Sequence, residues 1–175
     1  MTLMKSIIFF ILILIGLAGA ASLSSAKTPG EIEIGGMLHD VLMNGLSVAP
    51  KKLSAFRGKP LIINVWASWC SPCRQEMSSL DRLARRHGGK QFNLIGISTD
   101  DNMEAAYVFL ERTGTSFDNF IDKKLVLENM LGADRLPLTL LIDTQGRVLS
   151  RHYGAKDWDS QEAKQMIEQA FKIKM

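Results

Sequence analysis

Cys70 and Cys73 are the only cysteines of the chain, and two residues separate them. A pair this close can close and open a disulfide. One sulfur can attack a partner disulfide, and the other can resolve the mixed disulfide that results. The same spacing supplies half of a zinc site, but a closed zinc site needs four ligands. The chain adds only three scattered histidines, His39, His87 and His152. As a staple the bridge would close too small a loop to constrain the unfolded chain much. Redox chemistry is the reading the pair supports, and no metal is expected.

The flanking sequence says which elements hold the pair. Before it runs the apolar, β-branched stretch Leu61-Ile62-Ile63-Asn64-Val65-Trp66. After it, Met77, Leu80, Leu83 and Ala84 fall on one face of a helix. A buried strand over 61–67 therefore delivers Cys70 to the start of a helix over 72–87. The first turn of a helix has unpaired N–H groups and a partial positive charge. A thiolate is favoured there, so the Cys70 pKa is expected below the ~8.5 of a free cysteine. Cys70 is then the attacking nucleophile and Cys73, one turn further in, the resolving sulfur. Pro72 is tolerated because the first turn needs no donor at that position.

The remaining elements follow from pattern and punctuation. Asn44-Gly45 between Val41-Leu42-Met43 and Leu46-Ser47-Val48 reads as a two-residue hairpin turn. Leu53 to Phe56 reads as one short turn, and Gly88-Gly89 as a left-handed helix cap. Phe92 to Ser98 is a second strand. Asp101, with Glu104 three residues on, has capping-box spacing for a helix over 102–112. A short strand at 120–122 and a short helix at 124–131 follow. Leu138 to Asp143 and Arg147 to Tyr153 form a hairpin, and residues 159–172 a final amphipathic helix. This order predicts an α/β protein with a mixed central sheet flanked by helices and an N-terminal hairpin extension.

The N-terminus has a different composition. Lys5 precedes a run of large apolar residues from Ile7 to Leu17, and small residues follow through Ala26. That is the pattern of a secretory signal. Residues 1–26 are expected to be a signal peptide, cleaved after Ala20 or Ala26, or an anchor kept over residues 6–23. The run is short against the ~20 residues of a spanning helix. Residues 27–36 read as a linker and 37–175 as the folded domain. Beyond residue 26 the chain holds 20 basic and 18 acidic residues, too even a balance to imply nucleic acid. Arg82, Arg85 and Arg86 read as a solvated face near the negative end of the first helix.

The run Asn64-Val65-Trp66-Ala67-Ser68-Trp69-Cys70-Ser71-Pro72-Cys73-Arg74-Gln75-Glu76, together with Leu136-Pro137-Leu138-Thr139-Leu140-Leu141-Ile142-Asp143, resembles the TlpA/ResA family of exported thiol-disulfide reductases, which have a thioredoxin-like fold. Gly58-Lys59-Pro60 and Gly96-Ile97-Ser98-Thr99-Asp100 match as well. The resemblance covers residues 36–173. It implies a redox disulfide between Cys70 and Cys73, and it makes Pro137 the cis-proline that faces it. The backbone of Leu136 would then receive a substrate strand, with Trp69 part of the docking surface. Glu76 matches an acid placed near the active site, which the resemblance makes a proton acceptor for Cys73. From the residues alone it could equally be an exposed first-turn glutamate favoured by the helix dipole. Thioredoxin itself has a buried Asp where this chain has Asn64, and an amide cannot act as a base.

The resemblance implies an enzyme at the periplasmic or extracytoplasmic face of a bacterial membrane that reduces disulfides of other exported proteins, in cytochrome c maturation or metal-site assembly. It implies a membrane electron donor of the thiol reductase type and no bound cofactor. Ser71-Pro72 lacks the histidine of strongly oxidising relatives, which implies a low potential. Three other readings stay open at this point. One is a copper- or heme-related metallochaperone holding its ligand through two soft sulfurs. Another is a disulfide-forming oxidant. The third is a peroxidase, which would need its cysteine held by a preceding Pro and Thr, and the run 61–69 before Cys70 has neither.

Overall fold

The computed structural model describes residues 28–175. The expected leader at 1–26 lies outside the described residues. The strands are β1 (Leu42–Gly45), β2 (Lys51–Lys52), β3 (Leu61–Trp66), β4 (Asn93–Ser98), β5 (Asp118–Ile121), β6 (Leu138–Ile142) and β7 (Val148–Tyr153). The helices are α1 (Ser71–His87), α2 (Met103–Thr113), α3 (Val126–Leu131) and α4 (Gln161–Phe171). The short turn at Leu53–Phe56 is 3-10 helix.

The strands form one sheet in the order β2-β1-β5-β4-β3-β6-β7. β3, β4 and β5 are parallel, while β6 runs antiparallel to β3 and β7 antiparallel to β6. All six residues of β3 are buried, which is why that stretch reads as a nearly unbroken apolar run. Successive side chains of a strand point to opposite faces. Ile62 and Trp66 accordingly join Cys70, Cys73, Met77, Leu80, Trp158 and Ile167 on one side. Leu61, Ile63 and Val65 join Ile95, Ile97, Leu138 and Leu140 on the other. Alternation puts Asn64, a polar residue in the most buried strand, on the Trp66 side, beneath α1.

The turn at Asn44-Gly45 is not where the sequence places it. Leu42 and Met43 pair with Lys52 and Lys51, and Asn44 and Gly45 pair with Ile121 and Phe120 of β5. The expected second strand instead turns away: Leu46 N–H and Ser47 N–H donate to the Asn119 carbonyl at 3.0 and 3.1 Å. Pairing with a distant strand has overridden a local turn preference. The glycine is still required, because a Cβ at Gly45 would lie 1.7 Å from the Val48 carbonyl oxygen.

Two helix ends also differ from the expected pattern. Asn102, not Asp101, caps α2, with Oδ1 accepting from Glu104 N–H at 2.9 Å and Ala105 N–H at 3.3 Å. Gly88 ends α1 in an extended conformation, and only Gly89 has the positive φ, +73°. Upstream of β1, Ile32 N–H donates to the Met130 carbonyl and Gly35 N–H to that of Val148. Glu31 and Arg151 form a largely buried ion pair at 3.2 Å. Three of the four arginines of α1 are paired: Arg85 with Asp81, and Arg82 and Arg86 with Asp159.

Candidate active site

The loop between β3 and α1 is pinned from below by Asp100. Its carboxylate accepts from Ser68 N–H at 2.9 Å, Ser68 Oγ at 2.7 Å and Ser98 Oγ at 2.8 Å. Next to the loop, Trp66 stacks on Phe109 with ring centres 4.6 Å apart and donates Nε1–H to Asn119 Oδ1 at 2.9 Å. Gly96 leaves room for that bond. A Cβ there would lie 1.9 Å from Asn119 Oδ1 and 2.8 Å from Trp66 Nε1. Gly96→Ala should therefore break the Trp66–Asn119 bond and destabilise the fold by about 3 kcal/mol through overpacking and lost hydrogen bonding. Urea unfolding monitored by tryptophan fluorescence measures it. A change below about 0.5 kcal/mol, the range of ordinary surface substitutions, would show that the neighbours can move aside.

Cys70 is the N-cap of α1, and Pro72 lies in the first turn. Cys70 and Cys73 form a disulfide with an S–S distance of 1.99 Å and Cα atoms 5.3 Å apart. The Cys73 N–H points at Cys70 Sγ, 3.1 Å away. The sulfur thus occupies the place of a capping oxygen, where a thiolate would meet helix N–H groups and the positive end of the helix dipole. Both cysteines are largely buried, Cys70 at 4% and Cys73 at 1% exposure. Trp69 beside them is 72% exposed.

Pro137 immediately precedes β6. The pairing of Leu138 with Val65 places it at the end of the sheet where β3 runs out toward the disulfide. The Leu136–Pro137 peptide is cis, and the Pro137 carbonyl accepts from Gly154 N–H at 2.9 Å. Leu136 is partly buried and packs against both sides of the core.

Glu76 is in the core, 2% exposed. Residues 73, 76, 77 and 80 lie on one stripe of α1, so its carboxylate shares the buried side with Cys73. Oε1 accepts from Asn64 Nδ2 at 2.7 Å. Oε2 accepts from Trp158 Nε1 at 3.0 Å and from Lys156 N–H at 3.2 Å. Burial pushes the Glu76 pKa up to about 7, against the pull of those three donors. The loop that carries Lys156 and Trp158 is itself fixed to α1, since Trp158 N–H donates to Ser79 Oγ at 3.0 Å.

The cysteines and Glu76 thus share one helix, with Trp69 on the loop before it. Leu136 and Pro137 come to the same end of the sheet from a separate segment. Sequence reasoning missed Lys156, Trp158 and Thr139, whose Oγ1 accepts from Asn64 Nδ2 at 3.0 Å. Thr139 left a signal, being a polar residue inside the apolar run of β6. Trp158 and Lys156 left none, because only the tertiary fold brings them to α1.

A mixed sheet of this order, with a cysteine pair opening the helix after its central strand, defines a thioredoxin-like thiol-disulfide oxidoreductase. The family model described as Redoxin matches residues 40–167, and the chain belongs to that family. Over 146 residues it is 27% identical to the thiol-disulfide oxidoreductase ResA of Geobacillus thermodenitrificans, covering 83% of each chain. The crystal structure of a Chlorobium tepidum protein assigned as a thiol:disulfide interchange protein DsbE matches with a TM-score of 0.73 and 28% identity. That match covers 79% of this chain and 98% of the other. A secreted disulfide oxidoreductase of Mycobacterium tuberculosis shares the fold, with a TM-score of 0.62 and 22% identity over 74% of this chain and 93% of its own. The likeness to ResA carried by the motifs is thus borne out over most of the sequence.

Proposed function

We propose that this oxidoreductase works as a reductant of disulfides in other exported proteins, and that a membrane thiol reductase returns it to the dithiol form. The apolar leader at 1–26 supports an extracytoplasmic place of work, with 27–36 joining leader to domain. Apocytochromes awaiting heme, or copper-site assembly proteins, are the client classes this reading favours. Leu136 and the peptide at Pro137 would receive the client strand, and Trp69 would form part of the surface it meets.

In the catalytic sequence, the Cys70 thiolate attacks one sulfur of the client disulfide. A Cys70–client bond forms, and the other client sulfur leaves as a thiolate. Glu76 takes the proton from the Cys73 thiol, and Cys73 attacks Cys70 Sγ. The Cys70–client bond breaks, the second client sulfur leaves, and the Cys70–Cys73 disulfide forms. Two electrons have passed to the client. The observation that most supports this reading is the buried Glu76 carboxylate, one turn from Cys73 and near half-ionised at neutral pH. It lines a cleft with Gln75, Ser79 and Lys156, through which its proton can reach water.

The test is the redox state in cells, read by acid quenching and thiol alkylation. A reductant fed by a membrane donor should be found mainly as the dithiol, and mainly as the disulfide when the donor is deleted. A protein that stays oxidised in both strains would contradict the proposal.

A further inference from the structure

Asn64 holds the one buried side-chain polar atom without a partner among the described residues, Oδ1. An orphaned buried acceptor is costly, so this amide sits in an unfinished arrangement. Its other end, Nδ2, bonds to both Glu76 Oε1 and Thr139 Oγ1. All three groups bonded to the Glu76 carboxylate are therefore donors: Asn64 Nδ2, Trp158 Nε1 and Lys156 N–H. That set suits a carboxylate and offers no acceptor to a protonated acid. Trp158 Nε1–H and a backbone N–H can only donate. Asn64 alone can reverse, because a half-turn of its carboxamide exchanges O and N with almost no change of shape.

We propose that Asn64 is a positioning residue for the Glu76 proton: it donates to the carboxylate and, turned by half a rotation, accepts from the acid. In the turned state Oδ1 accepts from Glu76 Oε1–H and from the Thr139 hydroxyl, which can donate as readily as it accepts. Nδ2 then takes the unpartnered place. One end of the amide is orphaned in either orientation, so the proton on Glu76 decides which. The inference rests on the reading of Glu76 as proton acceptor for Cys73. It deepens that reading by giving the acceptor a partner in both of its states.

The other groups around the carboxylate do not supply this. β3 and β6 contribute Asn64 and Thr139, neither of which titrates. The loop after β7 contributes Lys156, whose ammonium is turned to Glu162 at 3.6 Å, and Asp157, which is near Arg82 at 3.7 Å. His152 of β7 lies behind the Trp158 ring, centre to centre 5.8 Å, with its pKa lowered by burial and by Lys156. On α1 itself Arg82 lines the same cleft, Cys73 is held in the disulfide, and His87, further along the same stripe, bonds to Gln91.

The experiment is NMR of the Asn64 carboxamide in the oxidised full-length protein across pH 5 to 9, reading NOEs from its Nδ2 protons to the Thr139 side chain. They should be strong at high pH, weaken several-fold at low pH, and be weak at every pH in Glu76→Gln. In that variant the Gln oxygen must face Trp158 and Lys156, so its NH2 faces Asn64 as a protonated acid would. NOEs that stay constant with pH and in the variant would overturn the proposal and make Asn64 a fixed donor. The pH profile of client reduction separates the two ideas. A profile unchanged by Glu76→Gln with switching NOEs removes Glu76 from resolution and leaves the rotation standing. A flattened profile with constant NOEs does the reverse.

Discussion

Cys73→Ser should accumulate mixed disulfides with client proteins, and Cys70→Ser should not. Both variants should lose turnover down to the level of uncatalysed exchange. The expectation follows from position on α1. Cys70 caps the helix, with the Cys73 N–H aimed at its sulfur at 3.1 Å, so its thiolate is the better stabilised of the two. Cys73 is one turn deeper and 1% exposed, against 4% for Cys70, so a client is expected to meet Cys70 first. Without Cys73 the Cys70–client bond has no internal nucleophile to break it, and the intermediate persists. Non-reducing gels of acid-quenched cells measure this. Mixed disulfides in Cys70→Ser and none in Cys73→Ser would exchange the two roles.

The second large effect is on Glu76. Its pKa is about 7 in the folded protein, against 4.5 for an ordinary glutamate. Below pH 4.5 the group is protonated in both states and imposes no penalty. As pH rises from 4.5 to 7 the unfolded chain releases the proton while the folded protein keeps it, so stability falls. The loss is complete above pH 7 and amounts to about 3 kcal/mol. Glu76→Gln should abolish that slope, and the stability difference between wild type and variant should shift by about 3 kcal/mol between pH 4.5 and pH 8. Urea unfolding at a series of pH values reads it. The same substitution should slow resolution of the mixed disulfide by roughly 10²-fold, the usual scale of general-base help. It should also remove the rise in rate through pH 7. Parallel stability curves for the two proteins would show that the carboxylate ionises freely where it sits.

Much of this site is legible in the chain because its parts are local. The strand, the cysteine pair and the helix are contiguous, and the three-residue spacing from Cys73 lets Glu76 share the buried side of α1 without requiring it. Two polar residues inside apolar runs, Asn64 and Thr139, mark the place where a buried polar network crosses β3 and β6. What turns Glu76 from a surface carboxylate into a core acid is not local. Its Lys156 and Trp158 partners lie 80 and 82 residues away, and no periodicity points to them. The N-terminal strand pair forms, with β1 against β2, but its turn lies further along than Asn44-Gly45 for the same reason in reverse. Asn44-Gly45 is a strong local turn, but the edge of β5 offers backbone partners that the local turn cannot match.

The direction of electron flow through the Cys70–Cys73 couple is read from its reduction potential. Equilibration of the full-length protein against defined thiol buffers should give a value near the ~−270 mV of thioredoxin, with reduced protein able to pass its electrons to client disulfides. A value near the ~−120 mV of a strong oxidant would reverse the direction and make the protein a source of disulfides.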